Sequence, residues 1–301
     1  MKRSIVVAGA TGLQGRAVTT HLLAAGWDVR AMTRDPDGTP AKALAETGAR
    51  IVRGEMADVA SLAAAAEGAY GLFSVQPTVG SPGTAAGFSA EEEVRWGRNV
   101  TEAARAAGVR HLVFTSVAGA GRHGSERLPR NVASKALIEQ HITALGVPAT
   151  ILRPVSFMEN YTGGYHLRDG TVTTPFAADV PQQVMAVDDL GAFAAMAFAE
   201  PAGWIGRAVD LAGDELTPVR IAAAISEAIG RSLPYVEIPI EAVREVDEEF
   251  AFAYEWLNER GYRADLAMTR RLRPEVMDLR TWLARSGAAR IASYLDDVER
   301  E

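Results

Sequence analysis

The sequence predicts an α/β protein: a doubly wound parallel sheet followed by a smaller C-terminal α+β lobe. Three observations carry this. A glycine-rich turn, Gly9-Ala10-Thr11-Gly12-Leu13-Gln14-Gly15, follows an apolar run and opens into a helical pattern. Six short strand-like runs then alternate with five helical segments as far as Pro154, the order expected of parallel strands joined by right-handed crossovers. From Val155 the alternation becomes irregular, which marks a change of architecture.

At 301 residues and 48% hydrophobic, the chain has the length of about two domains and can bury a large core. The pattern places a sheet domain at 1–154, with 182–212 returning to it. Residues 155–181 and 213–301 form the smaller lobe, expected over the open side of the sheet.

The first strand is Ile5-Val6-Val7-Ala8, and Ala17, Val18, Leu22 and Ala25 recur at helical spacing after the glycines. Three glycines at such a turn allow a tight bend, close approach of backbone N–H groups to a pyrophosphate, and close packing of helix on strand. The helix N-terminus adds partial positive charge. Gly9, Thr11, Gly12, Leu13, Gln14 and Gly15 are therefore the candidate dinucleotide-binding residues. Gly26 closes the helix, and 28–33 forms a second strand ending at Arg34. A site for NAD would carry an acid about 20 residues beyond the glycines to bind the ribose hydroxyls. Thr33 and Arg34 stand there instead, with Lys42 on the next helix. A guanidinium fork suits a 2′-phosphate, so NADP(H) is favoured over NAD(H).

A helix over 41–47 and a strand over 49–54 follow, with Met56 at the adenine side of the crevice and Asp58 as the cap of a helix over 59–67. The strand 72–75 ends at Gln76, where the chain would pass over the cofactor. Residues 78–90, rich in Gly, Ser, Pro and Ala, form a flexible loop and a candidate lid. A helix over 91–107 leads to the strand 111–116, whose last residue, Ser116, is either a site hydroxyl or a strand-end cap. A helix beginning at Asn131 and carrying Lys135 precedes the strand 147–152 and Arg153-Pro154. Beyond it come strands over 170–174 and 182–187, and a helix capped by Asp188-Asp189. A short strand over 208–212 is expected at the sheet edge, then a helix started by Thr217-Pro218, a strand over 235–240, and helices over 243–257 and 274–285.

Composition excludes several chemistries. With no cysteine there is no disulfide, thiolate nucleophile or cysteine metal site. His21, His111, His123, His141 and His166 show no paired metal spacing, and Ser116 lies in no G-x-S-x-G elbow. A net charge of −7 without a polybasic run argues against nucleic acid as a partner. The run Met1-Lys2-Arg3-Ser4 leads straight into a strand, and no stretch is long and apolar enough to span a bilayer, so a cytoplasmic protein is expected. The acidic cluster Glu245, Asp247, Glu248, Glu249 reads as a solvated helix face or a partner surface.

Ser116, then Asn131 and Lys135, resemble the Ser and Tyr-x-x-x-Lys constellation of short-chain dehydrogenases/reductases. The glycine turn, the run from Val29 to Pro36, Gly68-Ala69-Tyr70-Gly71-Leu72-Phe73, Leu152-Arg153-Pro154 with Phe157-Met158-Glu159-Asn160, and Val187-Asp188-Asp189-Leu190-Gly191 together resemble the NmrA-like family of atypical short-chain dehydrogenases, over about residues 4–230. The resemblance implies a Rossmann domain with a small C-terminal lobe, NADP(H) binding, and either a reductase or a redox-responsive regulator. Asn131 departs from the enzyme pattern, since an amide cannot transfer the proton that a lysine-activated phenol supplies near neutral pH. Isoflavone reductase-like relatives also lack the tyrosine and are understood to rely on the lysine. By that resemblance Lys135 holds the nicotinamide ribose or donates a proton, Ser116 and Asn131 assist, and Pro154 borders the cofactor. Phe157 and Met158 would line a substrate pocket, while Tyr161 either supplies a phenol or packs under the lobe. The expectation is an NADPH-dependent reductase of a small quinone-like or unsaturated substrate. The alternative is a non-catalytic NADP(H)-responsive regulator acting through a protein partner.

Overall fold

The computed structural model describes residues 3–300. Met1 and Lys2, half of the N-terminal run read above, lie outside the described residues, as does Glu301.

The chain alternates through β1 (Ser4–Ala8), α1 (Leu13–Ala24), β2 (Asp28–Thr33), α2 (Thr39–Glu46), β3 (Arg50–Arg53), α3 (Val59–Ala66), β4 (Gly71–Ser74), α4 (Ala90–Ala106), β5 (His111–Thr115), α5 (Arg130–Leu145) and β6 (Ala149–Pro154). There follow β7 (Ser156–Phe157), β8 (Leu167–Arg168), β9 (Thr171–Thr174), β10 (Gln182–Met185), α6 (Val187–Ala199), α7 (Pro201–Trp204) and β11 (Ala208–Leu211). The last part holds β12 (Asp214–Leu216), α8 (Pro218–Ile229), β13 (Tyr235–Glu237), α9 (Ile240–Val246), α10 (Glu248–Arg260), α11 (Leu266–Leu272), α12 (Leu279–Trp282) and α13 (Ala288–Val298).

Seven strands form the main sheet in the order β11-β6-β5-β4-β1-β2-β3, and β1 to β6 pair in parallel. This is the doubly wound arrangement expected, with the short strand after α7 at the sheet edge. The chain order reverses between β1 and β4, so the crevice beyond the C-terminal ends of these two strands is the topological switch point, the place where open α/β sheets bind ligands. Alternation along the strands sends Val6, Ala8, Leu72, Leu112 and Phe114 to one face, where they pack with Leu62, Val100, Ala104, Ile138 and Ile142 of α3, α4 and α5. On α6, Gly191 lets α1 approach so closely that a Cβ there would stand 2.8 Å from the carbonyl oxygen of Ala17.

The chain divides into two compact units: one of residues up to Ala120, Asn131–Arg153 and Val187–Val209, the other of Gly121–Arg130, Pro154–Ala186 and the residues from Asp210 onward. The second unit carries two three-stranded sheets, β12-β10-β7 and β13-β9-β8. Its core gathers Met158, Tyr161, Val172, Val184, Ile221, Ile225, Trp282 and Ile291.

Several expected boundaries move for local reasons. The helix expected over 243–257 is two helices, because Asp247 accepts from the Phe250 N–H (3.0 Å) and caps a new one. The helix expected at 274–285 starts only at Leu279, where Asp278 accepts from the Thr281 N–H (2.7 Å). It then runs through a π-helical turn, Leu283–Gly287, into α13. The strand expected over 182–187 stops at Met185, since Val187 already opens α6. Asp58 and Thr217 cap as expected, accepting from Ala60 N–H (3.0 Å) and Arg220 N–H (3.3 Å).

Candidate cofactor and active site

Gly9 leaves β1 with φ +79°, and a Cβ there would lie 2.9 Å from Cγ1 of Val75, which follows β4 across the switch point. Gly15 is more constrained: its Cβ would stand 2.1 Å from the Gly9 carbonyl oxygen, so any side chain would force the turn apart. Gly12 N-caps α1 and offers no side-chain oxygen, and the first turn carries no acid. Gly12 N–H bonds Gly9 O and Arg16 N–H bonds Gly12 O, both at 3.0 Å, while the N–H groups of Leu13, Gln14 and Gly15 meet no backbone acceptor. An open helix end of this kind can receive an anion. Two buried acceptors, Oε1 of Gln14 in the first turn of α1 and Oε1 of Gln76 just after β4, also have no hydrogen-bond partner among the described residues. Thr11 is half-buried, Leu13 is 38% exposed, and Met56 is buried with its carbonyl oxygen accepting from Asn99 Nδ2 at 2.9 Å.

At the end of β2, Arg34 is exposed and forms no ion pair among the described residues. Asp35 does not neutralise it: its Oδ1 accepts from the Asp37 N–H at 3.2 Å, and Gly38 packs against the same carboxylate, so that charge closes its own turn. Sheet register adds a cation that sequence pattern did not reveal, because Arg53 on β3 pairs with Thr33 and is exposed.

Beyond β5 and β6 the candidate catalytic side chains lie in two buried networks, each centred on a glutamate. Ser116 donates to Glu139 Oε1, and Arg153 Nε reaches the same oxygen at 2.9 Å. Lys135 forms an ion pair with Glu93, whose carboxylate also accepts from Ser134 Oγ (2.7 Å) and Thr78 Oγ1 (2.9 Å). Glu93 is 0% and Lys135 4% exposed, so the pair is withdrawn from water and each partner needs the other. Asn131 is half-buried, and its carbonyl oxygen accepts weakly from Ser134 Oγ at 3.3 Å. Glu93, Glu139 and Arg153 were not singled out from sequence, although both glutamates fall in the buried phase of their helices, Glu93 with Gly97, Val100 and Ala104, Glu139 with Val132 and Ile142. A charged residue in that phase is the signal that would have found them.

The remaining candidates belong to the second unit. Pro154 ends β6, and Phe157, half-buried, pairs in register with Met185. Met158 is 0% and Tyr161 3% exposed within that unit's core. The Tyr161 ring lies 5.0 Å from His166, and burial holds its phenol well above the ordinary tyrosine range. Among the described residues, no group of three or more His, Asp or Glu is placed to hold a metal ion, and no helix is long and apolar enough to cross a membrane.

A sequence model of the NmrA-like family matches residues 1–283. The chain belongs to that family. One relative, the (4-alkanoyl-5-oxo-2,5-dihydrofuran-3-yl)methyl phosphate reductase of Streptomyces griseus, is 32% identical over 243 residues, covering 80% of this chain and 79% of its own. The nitrogen metabolite repression protein nmrA of Emericella nidulans is 27% identical over 252 residues, covering 79% and 69%. Among solved structures, the NADPH-dependent quinone oxidoreductase QOR2 of Escherichia coli, complexed with NADPH, superposes with a TM-score of 0.74 at 25% identity over 93% of this chain and 98% of that one.

Proposed function

We propose that this NmrA-like protein is an NADPH-dependent reductase of a small quinone-like or unsaturated substrate. The observation that carries the cofactor assignment is the open N-terminus of α1 at the switch point, three N–H groups without a backbone acceptor, together with the unpartnered buried oxygens of Gln14 and Gln76. The N–H groups of Leu13, Gln14 and Gly15 would bind the pyrophosphate, with Thr11 beside them. Arg34 would bind the 2′-phosphate and Met56 flank the adenine. Gln76 Oε1 would accept from the sugar or amide that passes over β4. Lys135 would hold the nicotinamide ribose.

Bound NADPH supplies a hydride. The chain's own contribution is to hold the acceptor and manage one proton. Asn131 orients a substrate or water, Ser116, with its proton committed to Glu139, offers a lone pair, and Lys135 is the proton donor closest in kind to the missing phenol. A quinone or activated double bond needs less acid assistance than a simple ketone, which suits the absence of tyrosine at Asn131. The Streptomyces relative, named for an oxo-dihydrofuran substrate, and the Escherichia coli quinone oxidoreductase support the same class. The substrate pocket is assigned to Phe157, with Met158 and Tyr161 in the core behind it.

A second reading is a non-catalytic NADP(H)-responsive regulator acting through a protein partner. Asn131 and the likeness to the Emericella nidulans repression protein favour it. Steady-state oxidation of NADPH against a panel of quinones, enones and aldehydes separates the two: turnover supports the reductase, and tight NADPH binding without turnover supports the regulator.

A further inference from the structure

Glu93 is a buried titratable group that the cofactor assignment leaves unused. It stands in the first turn of α4 beside Glu91 and Glu92, and the three differ sharply. Glu91 is exposed, and Glu92 closes a capping box with Ser89 (3.1 and 3.3 Å). Glu93 alone turns into the seam between α4 and α5. That seam is narrow because Gly97, one turn further along α4, lies against Ile138, one turn beyond Ser134; a Cβ on Gly97 would stand 2.5 Å from Ile138 Cδ1. The close approach brings Ser134 and Lys135 to the carboxylate. Thr78, from the loop between β4 and α4, reaches it from the other side.

We propose that Glu93 is the positioning residue for Lys135 and the anchor of the loop over 75–89, so that lysine placement and loop order are coupled through one carboxylate. This rests on the reading that Lys135 meets the cofactor. Ser134 holds Oε2 and fixes the plane of the carboxylate, while Lys135 and Thr78 share Oε1. Two donors on one oxygen compete. When Lys135 turns toward a ribose hydroxyl, Thr78 becomes the main donor to Oε1 and the loop is drawn in. Before that, the pair with Glu93 confines the Lys135 side chain ahead of binding.

The test pairs NADPH affinity by calorimetry with hydrogen exchange of the loop amides, in wild type, Thr78→Val, Glu93→Gln, Lys135→Met and the Glu93→Gln/Lys135→Met double variant. NADPH is expected to slow loop exchange about tenfold in wild type and to lose that effect in Thr78→Val and Glu93→Gln. Glu93→Gln is expected to weaken NADPH about tenfold, and the double variant to bind no worse than Lys135→Met alone. Additive losses, or loop protection that persists in both Thr78→Val and Glu93→Gln, overturn the proposal. If Lys135→Met leaves NADPH affinity unchanged, the ribose assignment fails on its own. The anchor is then judged without cofactor: faster loop exchange in Glu93→Gln than in wild type supports it, and unchanged exchange overturns it.

Discussion

Lys135 and Glu93 form an ion pair in which both partners are withdrawn from water, one 4% and the other 0% exposed. Removing one member of such a pair strands the other charge, at about 3–5 kcal/mol, whereas replacing both with apolar groups of similar size is often nearly neutral. Glu93→Leu should therefore destabilise the fold by an amount in that range, and Glu93→Leu/Lys135→Met should recover most of it. Urea unfolding of the two single variants and the double checks this. A double variant as unstable as the sum of the singles would show that the pair is not the unit described.

The corner proposed for the 2′-phosphate makes a different kind of prediction, because the Arg34 and Arg53 side chains are exposed and form no ion pair or side-chain hydrogen bond among the described residues. Charge-assisted bonds to a phosphate contribute roughly 1.5–3 kcal/mol. Arg34→Ala should weaken NADPH by about tenfold or more and leave NADH unchanged, with a smaller loss for Arg53→Ala. Calorimetry with both nucleotides reads this directly, and equal affinities for NADPH and NADH in wild type would remove the 2′-phosphate assignment.

Two glycines act through space rather than through chemistry. Gly15→Ala puts a methyl group against the Gly9 carbonyl, and Gly97→Ala drives one into Ile138. Overpacking of this kind costs about 1–3 kcal/mol. The two should differ in function: Gly15→Ala should abolish nucleotide binding, since it forces open the turn proposed to hold the pyrophosphate, whereas Gly97→Ala should retain it but lose the coupling between Glu93 and Lys135. Thermal unfolding with and without NADPH separates them, because only Gly97→Ala should still be stabilised by the nucleotide.

Stability should also fall in mild acid. His111 Nε2 donates to Thr150 Oγ1 at 2.8 Å, and that hydroxyl donates to the Trp204 carbonyl oxygen, also at 2.8 Å, so the imidazole is held neutral with its Nδ1 unpartnered. Burial lowers its pKa from 6.5 to about 4 and that of His166 to about 3. The unfolded chain then binds protons that the folded chain refuses. Stability from these groups is full above about pH 6.5 and drains away as pH falls toward the folded values, by about 1.4 kcal/mol per pH unit for each histidine. Denaturant unfolding at pH 7, 6 and 5 should show the decline, and His111→Gln should reduce its slope. A flat profile would contradict the neutral, buried assignment.

How much of this was legible beforehand depends on the kind of signal. The glycine turn, the strand–helix alternation, the edge strand and the caps at Asp58 and Thr217 are local, so periodicity and residue type reveal them. The division of one expected helix at Asp247 and the π-turn ahead of α13 depend on a single capping side chain and on Gly287 lying against Trp282, which periodicity averages away. Among the candidate site residues, spacing singles out Lys135 and Ser116, and the structure brings each to a buried carboxylate. Their carboxylate partners are marked only as charges in a buried helix phase, and which side chain each one meets is set by helix packing and strand order. Arg53 joins Arg34's corner through a strand register that only the assembled sheet defines.

Under the proposed function, hydride transfer takes place at the α1 nucleotide site with Lys135 in place of a tyrosine. Rapid mixing of the NADPH-loaded protein with a quinone, followed through the nicotinamide absorbance, measures that step. Bleaching in a single exponential is predicted for wild type, slowed at least about tenfold in Lys135→Met, the usual scale for loss of a general acid or a positioning charge. Bound NADPH whose absorbance persists with every quinone and enone tried would contradict the claim.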